Sequence, residues 1–114
     1  MMELIPEFDF RPIIERHLTA PFRKARDWEI FYAETANAIY ETYEFVLKLE
    51  RRNLTNEDSI VLLPYLATLE PQVNLFMDLM FEAEFESHYY DQLMSELSGI
   101  RKAILKIKPR LLKQ

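Results

Sequence analysis

Residues three and four apart on an α-helix share a face. Glu84, His88 and Asp91 have that spacing, so a helix there sets an imidazole between two carboxylates. Such donors bind divalent metal ions. One helix rarely completes a coordination shell, however, and the only other histidine is His17. Di-metal carboxylate bundles draw Glu-x-x-His motifs from two helices, and the sequence contains none. The expected state of the trio is a solvated acidic face. No metal and no other cofactor is assigned.

Arg11 and His17 form a second constellation, Arg-x5-His. In spacing alone it resembles the motif of the HEPN helical ribonucleases. The resemblance implies His and Arg from paired subunits acting on RNA phosphodiesters. It covers seven residues, and Pro12 stands where that motif usually carries a polar residue. Other catalytic patterns are missing. A chain with one glycine, Gly99, cannot supply a nucleophile elbow, a phosphate loop or a dinucleotide fingerprint. The absence of cysteine excludes disulfides, thiolate metal sites and cysteine nucleophiles. The expectation is therefore a non-catalytic protein, with a HEPN-like ribonuclease as a remote alternative.

Charge is distributed unevenly. Arg101, Lys102, Lys106, Lys108, Arg110 and Lys113 fall in the last fourteen residues without one acid among them. That leaves eight basic against nineteen acidic residues in 1–100. Cations favour a helix C-terminus through the macrodipole, which accounts for part of this basic patch. The excess admits a contact with nucleic acid or another acidic partner. Arg16, Arg23, Lys24 and Arg26 make a smaller cluster. The acidic body argues against a general DNA-binding surface.

The elements that must carry these residues read as helices throughout. Nearly half of the chain is hydrophobic, and turn-forming glycine is almost absent, which disfavours a β-rich fold. Residues 1–8 read as an N-terminal arm without the basic start and apolar run of a signal peptide. A short helix is predicted over 10–18, with Asp9 as its cap. A long one is predicted over 21–52, its inner face formed by Trp28, Tyr32, Thr35, Ile39, Thr42, Val46 and Leu49. Thr55 and Asp58 form a capping box with Asp in place of Glu. It opens a short helix over 56–67, where Pro64 predicts a kink or break. A second long helix then runs from about 68 to 108. Its seam is Val73, Phe76, Met80, Ala83, Ser87, Tyr90, Met94 and Leu97. After a one-residue slip, the seam continues through Ile100, Ile104, Ile107 and Leu111. Ser98 and Gly99 mark the expected bend.

The fold class is thus all-α: a single domain over 1–114, short-long-short-long, dominated by a long antiparallel hairpin, with 106–114 as its basic end. Helices of about 48 and 57 Å would be too long for a compact monomer to enclose. Phe81, Phe85 and Tyr89 add a second apolar stripe opposite the seam. Together they predict an interaction or assembly protein that self-associates, as a homodimer, or docks a protein partner. The runner-up is a small accessory subunit of a nucleic-acid-associated complex, using the basic end. No membrane span is expected, and the lack of cysteine fits a cytoplasmic setting.

Overall fold

The structure is a computed structural model. It describes residues 5, 6, 9, 11, 12, 15, 25–82 and 88–112, of which 25–29, 31, 32, 82, 88 and 89 are described in backbone only. All the regular structure among them is helical. Three helices of similar length make up the bundle: α1 (Ala25–Arg51), α2 (Asn56–Glu82) and α3 (His88–Leu112). Arg11, Pro12 and Glu15 are also helical, and the rest of the predicted 10–18 helix lies outside the described residues.

The start of α1 follows no described cap, but its course follows the predicted pattern. Thr35, Ile39, Thr42, Val46 and Leu49 are all buried. Glu34, Asn37, Glu41, Lys48 and Arg51 are exposed on the opposite side. Trp28 and Tyr32, assigned to the same inner face, have side chains outside the described residues. A tight turn follows, and the capping box forms as predicted. The Asp58 amide donates to Thr55 Oγ1 at 3.2 Å and the Thr55 amide to Asp58 Oδ2 at 2.8 Å. Both amides belong to the first turn, where no helical carbonyl reaches them.

Beyond that cap the structure corrects the sequence. Neither Pro64 nor Pro71 ends the helix, and α2 runs unbroken to Glu82. The two prolines are seven residues apart, and both are exposed. The carbonyls each would have engaged belong to Ile60 and Ala67, also exposed residues, so water can satisfy them. The inner face through Leu62, Leu66, Leu69, Val73, Phe76 and Met80 stays buried without interruption. Thr68 and Gln72 add side-chain bonds to the carbonyls of Pro64 and Thr68, at 3.1 and 3.3 Å. The chain therefore turns between Glu82 and His88, not near 68–71. Over 25–112 the expected long-short-long order becomes three long helices.

That shift resets the last helix. Its buried seam is Leu93, Leu97, Ile100, Ile104, Ile107 and Leu111, with regular four-three spacing and no slip. Tyr90 and Met94 sit at its edge. Gly99 lies inside α3 and does not end it, and Pro109 is accommodated in the final turns.

Contacts set the directions. Tyr43 lies against Gly99 and Glu50 pairs with Lys106, so α1 and α3 run parallel. Ser59 meets the Leu111 carbonyl and Glu70 pairs with Lys108, so α2 runs antiparallel to α3. The hairpin expected between the two long helices is an up-down-up bundle instead. Helices of this length span about 40 Å, and the molecule measures 46 × 25 × 22 Å. They enclose a core of their own, so helix length gives no argument for a partner. By length and composition alone, Asn56–Phe81 is long and apolar enough to cross a membrane, a test that the core helix of a bundle also passes. The same helix supplies one wall of the bundle core.

Candidate interaction surface

Two surfaces carry the residues singled out in the sequence, one on each of the last two helices. The first is the outer face of α2. Its uncharged residues Pro64, Ala67, Thr68, Pro71 and Asn74 are exposed. Ile60 is 77% exposed at one end, and Phe81 is 72% exposed at the other, with Leu75 between them. Glu70 is the one charged side chain between Asp58 and Asp78, and it is tied to Lys108 at 3.2 Å. The chain order explains why this helix is so apolar. Its inner face fills the core, while its outer face lacks the Glu and Lys residues that solvate the outside of α1.

The predicted stripe of Phe81, Phe85 and Tyr89 does not run along one helix. Phe81 belongs to the last turn of α2 and Tyr89 to the first turn of α3. Phe85 and the Tyr89 side chain lie outside the described residues. The pattern reading missed Ile60 and Leu75, because it assigned Ile60 to a separate short helix.

The second surface is the outer face of α3, which carries the basic patch. Half of the patch is engaged within the fold. Arg110 Nη1 donates to the Glu50 carbonyl at 2.7 Å, and Nη2 donates to the Arg52 carbonyl. These carbonyls lie in the last turn of α1 and just past it, where helical partners run out and a cation meets the negative end of the helix dipole. Lys106 reaches Glu50 at 3.1 Å and Lys108 reaches Glu70. Arg101 and Lys102 are exposed and make no ion pair with any described residue. Lys113 lies outside the described residues.

The chemistry-bearing constellations gain no geometry. No group of three His, Cys, Asp or Glu able to hold a metal occurs among the described residues. Asp91 is exposed, and the side chains of Glu84 and His88 are outside the described set. Arg11 is held by Asp9 through two oxygens, at 2.8 and 3.0 Å. The same guanidinium keeps the Asp9 carboxyl below the usual carboxylate range. His17 is outside the described residues.

A small acidic cluster lies where α1 and α3 meet. Burial pushes the pKa of Glu96 up, Gln92 partly offsets this with a bond at 3.3 Å, and Glu44 adds repulsion. Glu44 also faces the hydroxyl of exposed Tyr40 and raises its pKa. What is left is two outward helix faces. No protein family, curated protein or solved structure matches the chain.

Proposed function

We propose that the chain is a non-catalytic helical interaction protein of the cytoplasm that pairs with a second copy of itself through the outer face of α2. The observation that carries this reading is Phe81, 72% exposed at the end of a helix whose outer face is uncharged through its middle. In a two-fold pair residue i of one copy meets residue j of the other and j meets i, so an apolar patch is complementary to its own copy without any opposite charge beside it. A face built for a strongly acidic or basic partner would carry several charges of the opposite sign; this one has no exposed charge from Ile60 to Leu75, and exposed Asp78 stands alone between Leu75 and Phe81. Apolar residues with few charges also match the composition of interface centres.

The test is sedimentation velocity at micromolar concentration. A dimer is expected for the native chain, and a monomer with unchanged helicity for the Phe81→Glu, Leu75→Glu double variant. A monomeric native chain, or a double variant with native mass, refutes the proposal.

Exposed Arg101 and Lys102 support a second reading, an accessory subunit of a nucleic-acid-associated complex. It requires salt-dependent binding of RNA or DNA by the intact chain. Lys106, Lys108 and Arg110 weigh less in that reading, because each already has a partner within the bundle.

A further inference from the structure

The end of the bundle farthest from Phe81 combines exposed aliphatic side chains with exposed cations. Leu105 and Leu112 are 62% and 67% exposed. They lie two turns apart on the outward face of α3. Arg101 and Lys102 stand one turn before Leu105, and Lys106 stays mostly exposed despite its bridge to Glu50. No acidic residue follows Glu96 in the chain. Ile60 and Val61 are exposed at the start of α2. They belong to the same end, because Ser59 Oγ donates to the Leu111 carbonyl at 3.3 Å. Glu57 is exposed there too, outnumbered by Arg51, Arg101, Lys102 and Lys106. The exposed carboxylates Glu34 and Glu41 lie on the outer side of α1. The bundle is therefore polarised, with exposed carboxylates on α1 at Glu34 and Glu41 and cations with bare leucines on α3 from Arg101 onward.

A nucleic acid would use the cations and leave four large aliphatic side chains against water and phosphate. A peptide helix would need a groove, whereas these leucines stand on the outside of a helix. An acidic bilayer fits both features, with anionic headgroups above an apolar layer. Surface-bound helices combine basic and large apolar residues in the same way. We infer that this end of the bundle docks on an anionic phospholipid surface. Leu105 and Leu112 enter the acyl boundary, and Arg101, Lys102 and Lys106 meet the headgroups.

Co-sedimentation of the full chain with vesicles tests this. Binding is expected to phosphatidylcholine–phosphatidylserine vesicles, to weaken with salt, and to be absent with phosphatidylcholine alone. Each cation near such a surface contributes roughly fivefold, so Arg101→Ala with Lys102→Ala should weaken binding about twenty-five-fold. Leu105→Ser with Leu112→Ser should weaken it about tenfold or more with helicity retained. Phe81→Glu should leave it unchanged, which separates this surface from the dimer face. Three results would each overturn the inference: no binding to anionic vesicles at low salt, equal binding to neutral vesicles, or native affinity in the leucine variant.

Discussion

Gly99 on α3 lies against the edge of the Tyr43 ring on α1, so close that a Cβ at position 99 would stand 2.4 Å from Tyr43 Cε1 and 3.0 Å from Cδ1. The glycine serves the contact between the two parallel helices, not the flexibility of its own. In mid-helix it costs about 1 kcal/mol relative to alanine, and the packing of Tyr43 against the core offsets that loss.

Gly99→Ala should therefore destabilise the protein despite its better helix propensity. Overpacking costs roughly 1–3 kcal/mol, more than the propensity gain. The melting temperature should fall by several degrees. In a Tyr43→Ala background the sign should reverse, and Gly99→Ala should stabilise by about 1 kcal/mol. Thermal melts of the four proteins check this. The same sign in both backgrounds would show that Tyr43 is not the reason for the glycine.

The prolines of α2 give the opposite expectation. Pro64 and Pro71 sit inside a helix and on its exposed side. Alanine at either position restores a backbone bond, a gain of about 1–3 kcal/mol after subtracting the added freedom of the unfolded chain. Urea melts of Pro64→Ala and Pro71→Ala should shift to higher denaturant with unchanged slope. A fall in stability would mean that the local bend is required for the packing of Leu62, Leu66 and Leu69.

Arg110 closes the end of α1 by donating to the Glu50 carbonyl in its last turn and the Arg52 carbonyl just past it. Replacing it with methionine keeps the stem and removes the donors. Hydrogen bonds from charged donors contribute about 1.5–3 kcal/mol. Arg110→Met should lose about that much, and fraying of residues 48–52 should show as faster amide exchange. Arg101→Met, at an exposed and unpaired position, should change stability by less than about 0.5 kcal/mol.

How much of this was legible follows from the range of each interaction. The Thr55–Asp58 cap and the Thr35–Leu49 face depend on residues within a turn or two, and the spacing alone reveals them. The path of α2 through Pro64 and Pro71 was not legible, because local rules price a proline without knowing that it faces water. That one misplaced turn moved Phe81 and Tyr89 onto one helix and put a spurious slip into the α3 seam. Gly99 and Arg110 act across helices, on Tyr43 and on the end of α1. Sequence marks such residues as unusual but does not name their partners. The exposed face of α2 needed the bundle direction before Ile60, Leu75 and Phe81 could be placed together.

The Tyr65 hydroxyl is buried and meets no hydrogen-bond partner at normal geometry, although Thr42 lies near it. The Thr42 hydroxyl donates instead to the Ala38 carbonyl at 2.8 Å. Burial pushes the tyrosine pKa up to about 12. Its ring packs edge-on against Phe45, with centroids 5.8 Å apart. An unmade buried bond costs about 1–3 kcal/mol, so Tyr65→Phe should be neutral or stabilising by about 1 kcal/mol. A loss above that size in a thermal melt would mean that the hydroxyl is satisfied in solution.

Two carboxylates with opposite shifts should shape the pH dependence. Asp58 is held below its ordinary value of 3.8, first by the Thr55 amide, then by the Thr55 hydroxyl and Arg52. A depressed folded pKa contributes stability above the unfolded value and loses it as pH falls through the folded one. Glu96 is raised above 4.5 by burial. A raised carboxylate contributes stability while protonated, below the unfolded value, and loses it as pH rises through the folded pKa. Glu96→Gln should therefore raise the melting temperature near neutral pH, and its advantage should vanish by about pH 4. Asp58→Asn should lower stability near neutral pH and flatten the acid limb, where the native chain loses its cap. Melts of both variants across that range check the signs. A Glu96→Gln protein less stable than native at neutral pH would place the folded pKa of Glu96 below 4.5 instead of above it.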